Sequence, residues 1–120
     1  MEIIIDTWLY GELAQYGGDE KAGSFANLHV SLDEGSTVRD LLERIGMPSE
    51  KRGITFINGD LSALPGLQPD LDHILTDGDR IAFFHLRSMW PYQYRSGAAT
   101  TGELSAALRN RHDQGISHTS

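Results

Sequence analysis

The chain has 120 residues and a mass of 13.3 kDa, enough for one domain with a modest core and too short for two large lobes around a cleft. Apolar residues make up 39% and charged residues 22%, with no apolar run near the roughly 20 residues of a membrane span and no signal-peptide start, so a soluble cytoplasmic protein is expected. Ten Lys and Arg against seventeen Asp and Glu give a net charge of −7, which disfavours nucleic acid and anionic membrane as partners and is compatible with a basic protein surface; the absence of cysteine excludes disulfides, thiolate nucleophiles and Cys-ligated metals.

Ile3 to Tyr10 is dense in β-branched and aromatic residues and closes on Gly11, a strand signal. Gly11 to Asn27 contains Gly17-Gly18 and Gly23-Ser24 and reads as a loop with room for a helical turn over Glu12 to Tyr16. Leu28, Val30 and Leu32 alternate with polar residues, predicting a half-buried second strand. Over Thr37 to Ile45, Val38, Leu41, Leu42 and Ile45 fall at i, i+3, i+4 and i+7, which puts four apolar side chains on one helix face. Thr37 or Ser36 supplies the N-cap, Thr37 with Asp40 has capping-box spacing, and Gly46 with Pro48 ends the helix.

Ile54 to Ile57 predicts a short strand leading into the turn dipeptide Asn58-Gly59. From there to Asp77, Pro65, Gly66 and Pro69 interrupt a leucine series (Leu61, Leu64, Leu67, Leu71), predicting an irregular segment pinned by those leucines. Asp77-Gly78-Asp79 turns into a last strand, Arg80 to Leu86. Residues 1–95 are thus expected to form the domain, and 96–120, poor in apolar side chains, a flexible tail in which Leu104, Ala107 and Leu108 form at most a transient helix. A helix between a strand pair and further strands covers one face of a small mixed sheet, an α+β roll.

Gly35 to Gly46, Ile57-Asn58-Gly59 and Leu75 to Phe84 together resemble, in order and spacing, the ThiS and MoaD families of ubiquitin-like sulfur carriers, and with the first strand the resemblance covers about residues 1 to 86. It implies a β-grasp roll, a mixed sheet with one main helix in which the first and last strands lie side by side in parallel. It also implies a sulfur carrier or small subunit in sulfur transfer for molybdopterin, tungstopterin or thiamine-type cofactor synthesis. The chain itself is then not an enzyme and holds no cofactor; its partners are an adenylating (E1-like) enzyme and a cofactor-synthesis or pterin-enzyme subunit.

Carriers of that kind end in Gly-Gly, because an activating enzyme draws a slender extended tail into a narrow channel to adenylate its carboxylate. Here Leu86 is followed by Arg87-Ser88-Met89-Trp90-Pro91-Tyr92-Gln93-Tyr94-Arg95-Ser96-Gly97-Ala98, without a diglycine. Gly97 is therefore the candidate carrier terminus after processing. The alternative is a non-catalytic β-grasp binding module that has lost the carrier end. In either case Phe84, Met89, Trp90, Tyr92 and Tyr94 are the candidate partner-binding residues, since aromatic side chains bury much area at low entropic cost; the competing reading folds Trp90 and Tyr92 back over the protein's own sheet.

Asp70, Asp72, Asp77 and Asp79 lack the ligand pattern of a calcium loop and read as a solvated turn. The five histidines form no i, i+4 pair on a helix, and His85 reads as a surface or partner-contact residue. No Gly-x-Ser-x-Gly elbow, phosphate-binding loop or dinucleotide fingerprint occurs.

Overall fold

The computed structural model describes residues 1–85 and 99–119, and of these the side chains of 19–22 and 111–119 are left aside. Strands β1 (Glu2–Tyr10), β2 (Lys21–Ala22), β3 (Phe25–Asp33), β4 (Arg52–Ile57), β5 (Asp60–Ala63) and β6 (Arg80–His85) form one sheet in the order β2-β3-β1-β6-β4-β5. Helix α1 (Val38–Ile45) follows the first strands, and α2 (Gly102–Thr119) follows the last. β1 pairs antiparallel with β3 from Glu2↔Asp33 to Tyr10↔Phe25 without a register shift, and parallel with β6 from Asp6↔Arg80 to Tyr10↔Phe84. This is the α+β β-grasp arrangement, with its first and last strands adjacent and parallel.

Alternation along the strands decides which face is buried. Ile3, Ile5 and Leu9 of β1, Ala26, Val30 and Leu32 of β3, and Ile81 and Phe83 of β6 meet Val38, Leu41 and Leu42 of α1 in the main core. Ile45, the fourth residue of the helical stripe, is only partly buried. Both ends of α1 are fixed locally. The Thr37 hydroxyl accepts from the Asp40 N–H while the Asp40 carboxylate accepts from the Thr37 N–H, and Gly46 closes the helix at φ 75°, where a side chain would be strained.

The loop predicted to run through Asn27 ends earlier. Phe25, Ala26 and Asn27 belong to β3, because Ala26 is wholly buried opposite Leu9 and the preceding 3-10 turns (Gly11–Glu20) pack Leu13 and Ala14 beneath the sheet. Gly17 lies so close to the Ala26 methyl that any side chain there would collide with it.

The segment predicted to be irregular after Asn58-Gly59 begins with β5. Asn58 (φ 51°) and Gly59 (φ 87°) both adopt left-handed conformations, and this turn folds Asp60–Ala63 back on β4. The leucines then do pin the remainder, together with an ion pair that composition did not signal. Arg52 and Asp70, each without solvent exposure, are joined by Nη2–Oδ1 at 2.6 Å and Nη1–Oδ2 at 2.9 Å. Gln68 accepts from Nε and Nη2, Thr55 accepts from Nη1, and Ser62 donates to Asp70. Asp70 is therefore a buried anchor and not part of a solvated turn. Asp77 accepts from Ile4 N–H, and Asp79 accepts from Thr76 and Asn58, so these two hold the turn into β6.

From Ala99 the chain meets the sheet again. The Ala99 carbonyl accepts from Leu61 N–H at 2.8 Å and Thr101 N–H donates to the Leu61 carbonyl at 2.9 Å, which lays this segment parallel to β5 at the sheet edge. Leu104 at the start of α2 is wholly buried with Leu61 and Leu64, and Ile54, Phe56 and Leu67 pack around them. The tail contributes few apolar groups, but one leucine suffices when five other apolar side chains are already gathered to receive it.

Asp70→Ala should destabilise the fold by about 3–5 kcal/mol, since it strands the Arg52 charge in the interior. Leu104→Ala should cost about 2–5 kcal/mol, and truncation of Leu108, which is 36% exposed, should cost far less. Urea midpoints of the full chain measure both; equal effects at 104 and 108 would show that α2 is not anchored.

Candidate functional site

The face of the sheet turned away from α1 carries the outward residues of each strand. At the end where β1 and β6 terminate, these are aromatic. Tyr10 of β1 stacks on Phe84 of β6 with ring centroids 4.6 Å apart and planes 6° from parallel, and Phe84 meets Phe56 of β4 edge-on at 6.1 Å. On the other side, Trp8 lies 5.9 Å and Tyr10 6.5 Å from Phe25 of β3. One row of rings thus crosses four strands. Phe25 is 38% exposed and the others are half-buried.

Phe84 lies one residue before the end of β6. His85, the last described residue of that strand, is mostly buried rather than on the surface, with its Nε2 3.1 Å from the Glu12 carboxylate. Beside the rings a polar group orders the centre of the face. Asp6 accepts from Asn27 at 2.7 Å and from Arg80 Nε at 2.9 Å, with His29 at 3.8 Å. Burial works to raise the Asp6 carboxyl pKa, but the hydrogen bonds from Asn27 and Arg80 outweigh it and hold the group below its ordinary value. Across the molecule, the hydrogen bond from His73, 2.9 Å from Glu103, lowers the Glu103 pKa against a smaller contribution from burial.

Of the residues singled out by sequence, Phe84 stands in the middle of the aromatic row. Met89, Trp90, Tyr92, Tyr94 and Gly97 lie outside the described residues. Trp8, Tyr10, Phe25 and Phe56 were not singled out, although the alternation of β1 carries the signal for two of them: Trp8 and Tyr10 occupy the positions between the buried Thr7 and Leu9 and beyond. Phe25 was hidden by its assignment to a loop. Among the described residues, no three His, Asp or Glu side chains are grouped to hold a metal ion, and no helix is long and apolar enough to cross a membrane.

The model of the ThiS family matches residues 17–88, more than half of the chain. The chain belongs to the ThiS family. The matched region begins after β1, and the sheet completes the family fold by pairing that strand with β6. ThiS proteins are small carriers and not enzymes, and they work with adenylating and sulfur-transferring enzymes. A comparison with curated proteins gave no match.

The depressed Asp6 pKa has a defined pH signature. Its stabilising contribution is present above the ordinary Asp value of about 4 and is lost as pH falls through the lower folded value. The stability difference between the wild type and Asp6→Asn should therefore be constant from about pH 5 upward and shrink as the pH falls below about 4. Urea titrations across that range test it; a difference independent of pH would remove the charge of Asp6 from the account.

Proposed function

We propose that this ThiS protein is a sulfur carrier or small subunit in sulfur transfer for molybdopterin, tungstopterin or thiamine-type cofactor synthesis. The observation that carries the reading is the family match over 17–88 combined with a sheet whose central strand β6 runs parallel to β1 and carries Phe84 in the aromatic row. In this reading the terminal carboxylate of a processed chain is adenylated by an E1-like partner and the adenylate is displaced by sulfur, leaving a thiocarboxylate. All bond-making belongs to the partners. The carrier contributes a slender end and a surface by which it is held, formed by Phe84 with Met89, Trp90, Tyr92 and Tyr94.

Gly97 is the proposed mature end. A cut on its C-terminal side falls just ahead of Ala99, where pairing with Leu61 begins. A second reading, the β-grasp binding module without carrier activity, is favoured by that same pairing: Ala99, Thr101 and Leu104 tie down the chain beyond β6 instead of leaving it free.

Incubation of the full chain and of a form ending at Gly97 with the host's adenylating enzyme, ATP and a sulfur donor distinguishes the two. Mass spectrometry should show one oxygen replaced by sulfur on the form ending at Gly97 and no change on the full chain. Absence of conversion on both, with a control carrier converted, would leave the binding module.

A further inference from the structure

The sheet has a second edge far from the C-terminal segment, and it is left open. β2 covers β3 only at Phe25 and Ala26. From Asn27 to Leu32, β3 is paired with β1 on one side, and among the described residues its outer backbone groups have no strand partner. In an antiparallel ladder every second residue turns both its N–H and its C=O outward, so this stretch presents a ready row of donors and acceptors. Proteins usually blunt such an edge with Pro, Lys, a bulge or short length. β3 has none of these: it runs Phe-Ala-Asn-Leu-His-Val-Ser-Leu-Asp in unbroken register.

A groove lies alongside, between β3 and α1, and its two halves differ in chemistry. One half offers Tyr16, Leu28 and Ile45, which the short helix leaves only partly buried, bordered by the polar side chains of Asn27 and His29. The other half is lined by Glu2, Asp33 and Glu43, all exposed. Ser31 and Arg44 border both halves.

We propose that the β3 edge binds an extended segment of another protein by strand addition. Its alternate apolar side chains enter the Tyr16–Leu28–Ile45 half, and Lys or Arg residues at its other end face Glu2, Asp33 and Glu43. The backbone ladder supplies attachment, the apolar pockets set register, and the charge gradient along the groove sets direction. Arg44 at the junction disfavours a cation there, so the basic residues are confined to the carboxylate end. The row of rings lies on the face turned away from α1 and the β5 edge on the far side of the sheet, so such a partner can be held while the C-terminal side is engaged. The inference is independent of sulfur transfer.

The test is an NMR titration of the ¹⁵N-labelled full chain with a short peptide of alternating valine and threonine ending in Lys-Arg-Lys, and with its reversed sequence. One of the two should shift the amides of Asn27 to Asp33 and of Arg44. N-methylation of alternate peptide nitrogens should weaken it by about tenfold or more, because the ladder bonds are lost. The double variant D33K/E43K, at two exposed positions that leave the core untouched, should weaken the same peptide at low salt and recover binding to one ending in Glu-Asp-Glu. The proposal is overturned if neither peptide moves the β3 amides, if the shifts fall on Trp8, Tyr10 and Phe84, if N-methylation has no effect, or if sedimentation finds the free chain paired with a second copy through β3.

Discussion

The buried pair of Arg52 and Asp70 is the constraint on which the second half of the fold depends. Moving a guanidinium and a carboxylate out of water costs several kcal/mol per ion, and attraction between them offsets this only when every remaining donor and lone pair is also satisfied. The surroundings meet that condition. Gln68, Thr55 and Asp70 accept from all three guanidinium nitrogens, Ser62 completes the carboxylate, and Arg52 Cζ sits 5.8 Å from the Phe83 ring. These partners come from β4, β5 and the leucine-rich segment. A shift in any one of them would leave a buried charge unpaired. The pair therefore fixes where β5 lies and where Leu61 and Leu64 point, and through them the platform on which α2 begins.

That platform gives the sheet two unequal cores. α1 covers the face of Ile5, Val30 and Phe83, the main core. On the opposite face, Leu61 lies across from Phe56, and Leu104 closes a smaller cluster there. Phe56 belongs to both that cluster and the row of rings, so the part of the face near β5 is covered while the part near β1 and β3 retains its aromatic side chains. Packing against α2 thereby closes the β5 side of this face.

The elements that sequence revealed are those specified by local chemistry. α1 combines a clean 3.6-residue stripe with a capping box and a positive-φ glycine, so no distant contact is needed to place it. Asn58-Gly59 likewise announced its turn. β5 and the anchoring of α2 were hidden because their stability comes from partners remote in sequence: a four-residue strand followed at once by Pro65 carries too few alternations to read, and Leu104 is meaningful only beside Leu61 and Leu64. Arg52 was indistinguishable from a surface arginine, since nothing in its neighbours signals that Asp70 and Gln68 will enclose it. His85 was misplaced for a related reason: Glu12, which meets it, lies in a segment whose 3-10 turns have no periodic signature.

Carrier chemistry requires an end that can enter another protein, and the anchored C-terminal segment opposes this with a force that can be bounded. Two backbone hydrogen bonds to Leu61 contribute about 0.5–1.5 kcal/mol each, and burial of Leu104 contributes about 1.5–3 kcal/mol. The half-buried pair of His73 and Glu103 adds about 1 kcal/mol at most. The anchor is thus worth about 3–6 kcal/mol before the entropy of ordering the segment is subtracted, which reduces it further. A partner of micromolar affinity supplies about 8 kcal/mol. Displacement by a partner is therefore within thermodynamic reach, at the cost of most of that partner's affinity, whereas cleavage after Gly97 frees the end without opposing the anchor at all. The energetics thus favour processing as the route by which this ThiS fold acts as a carrier, and an uncleaved chain as the form suited to holding partners by its sheet.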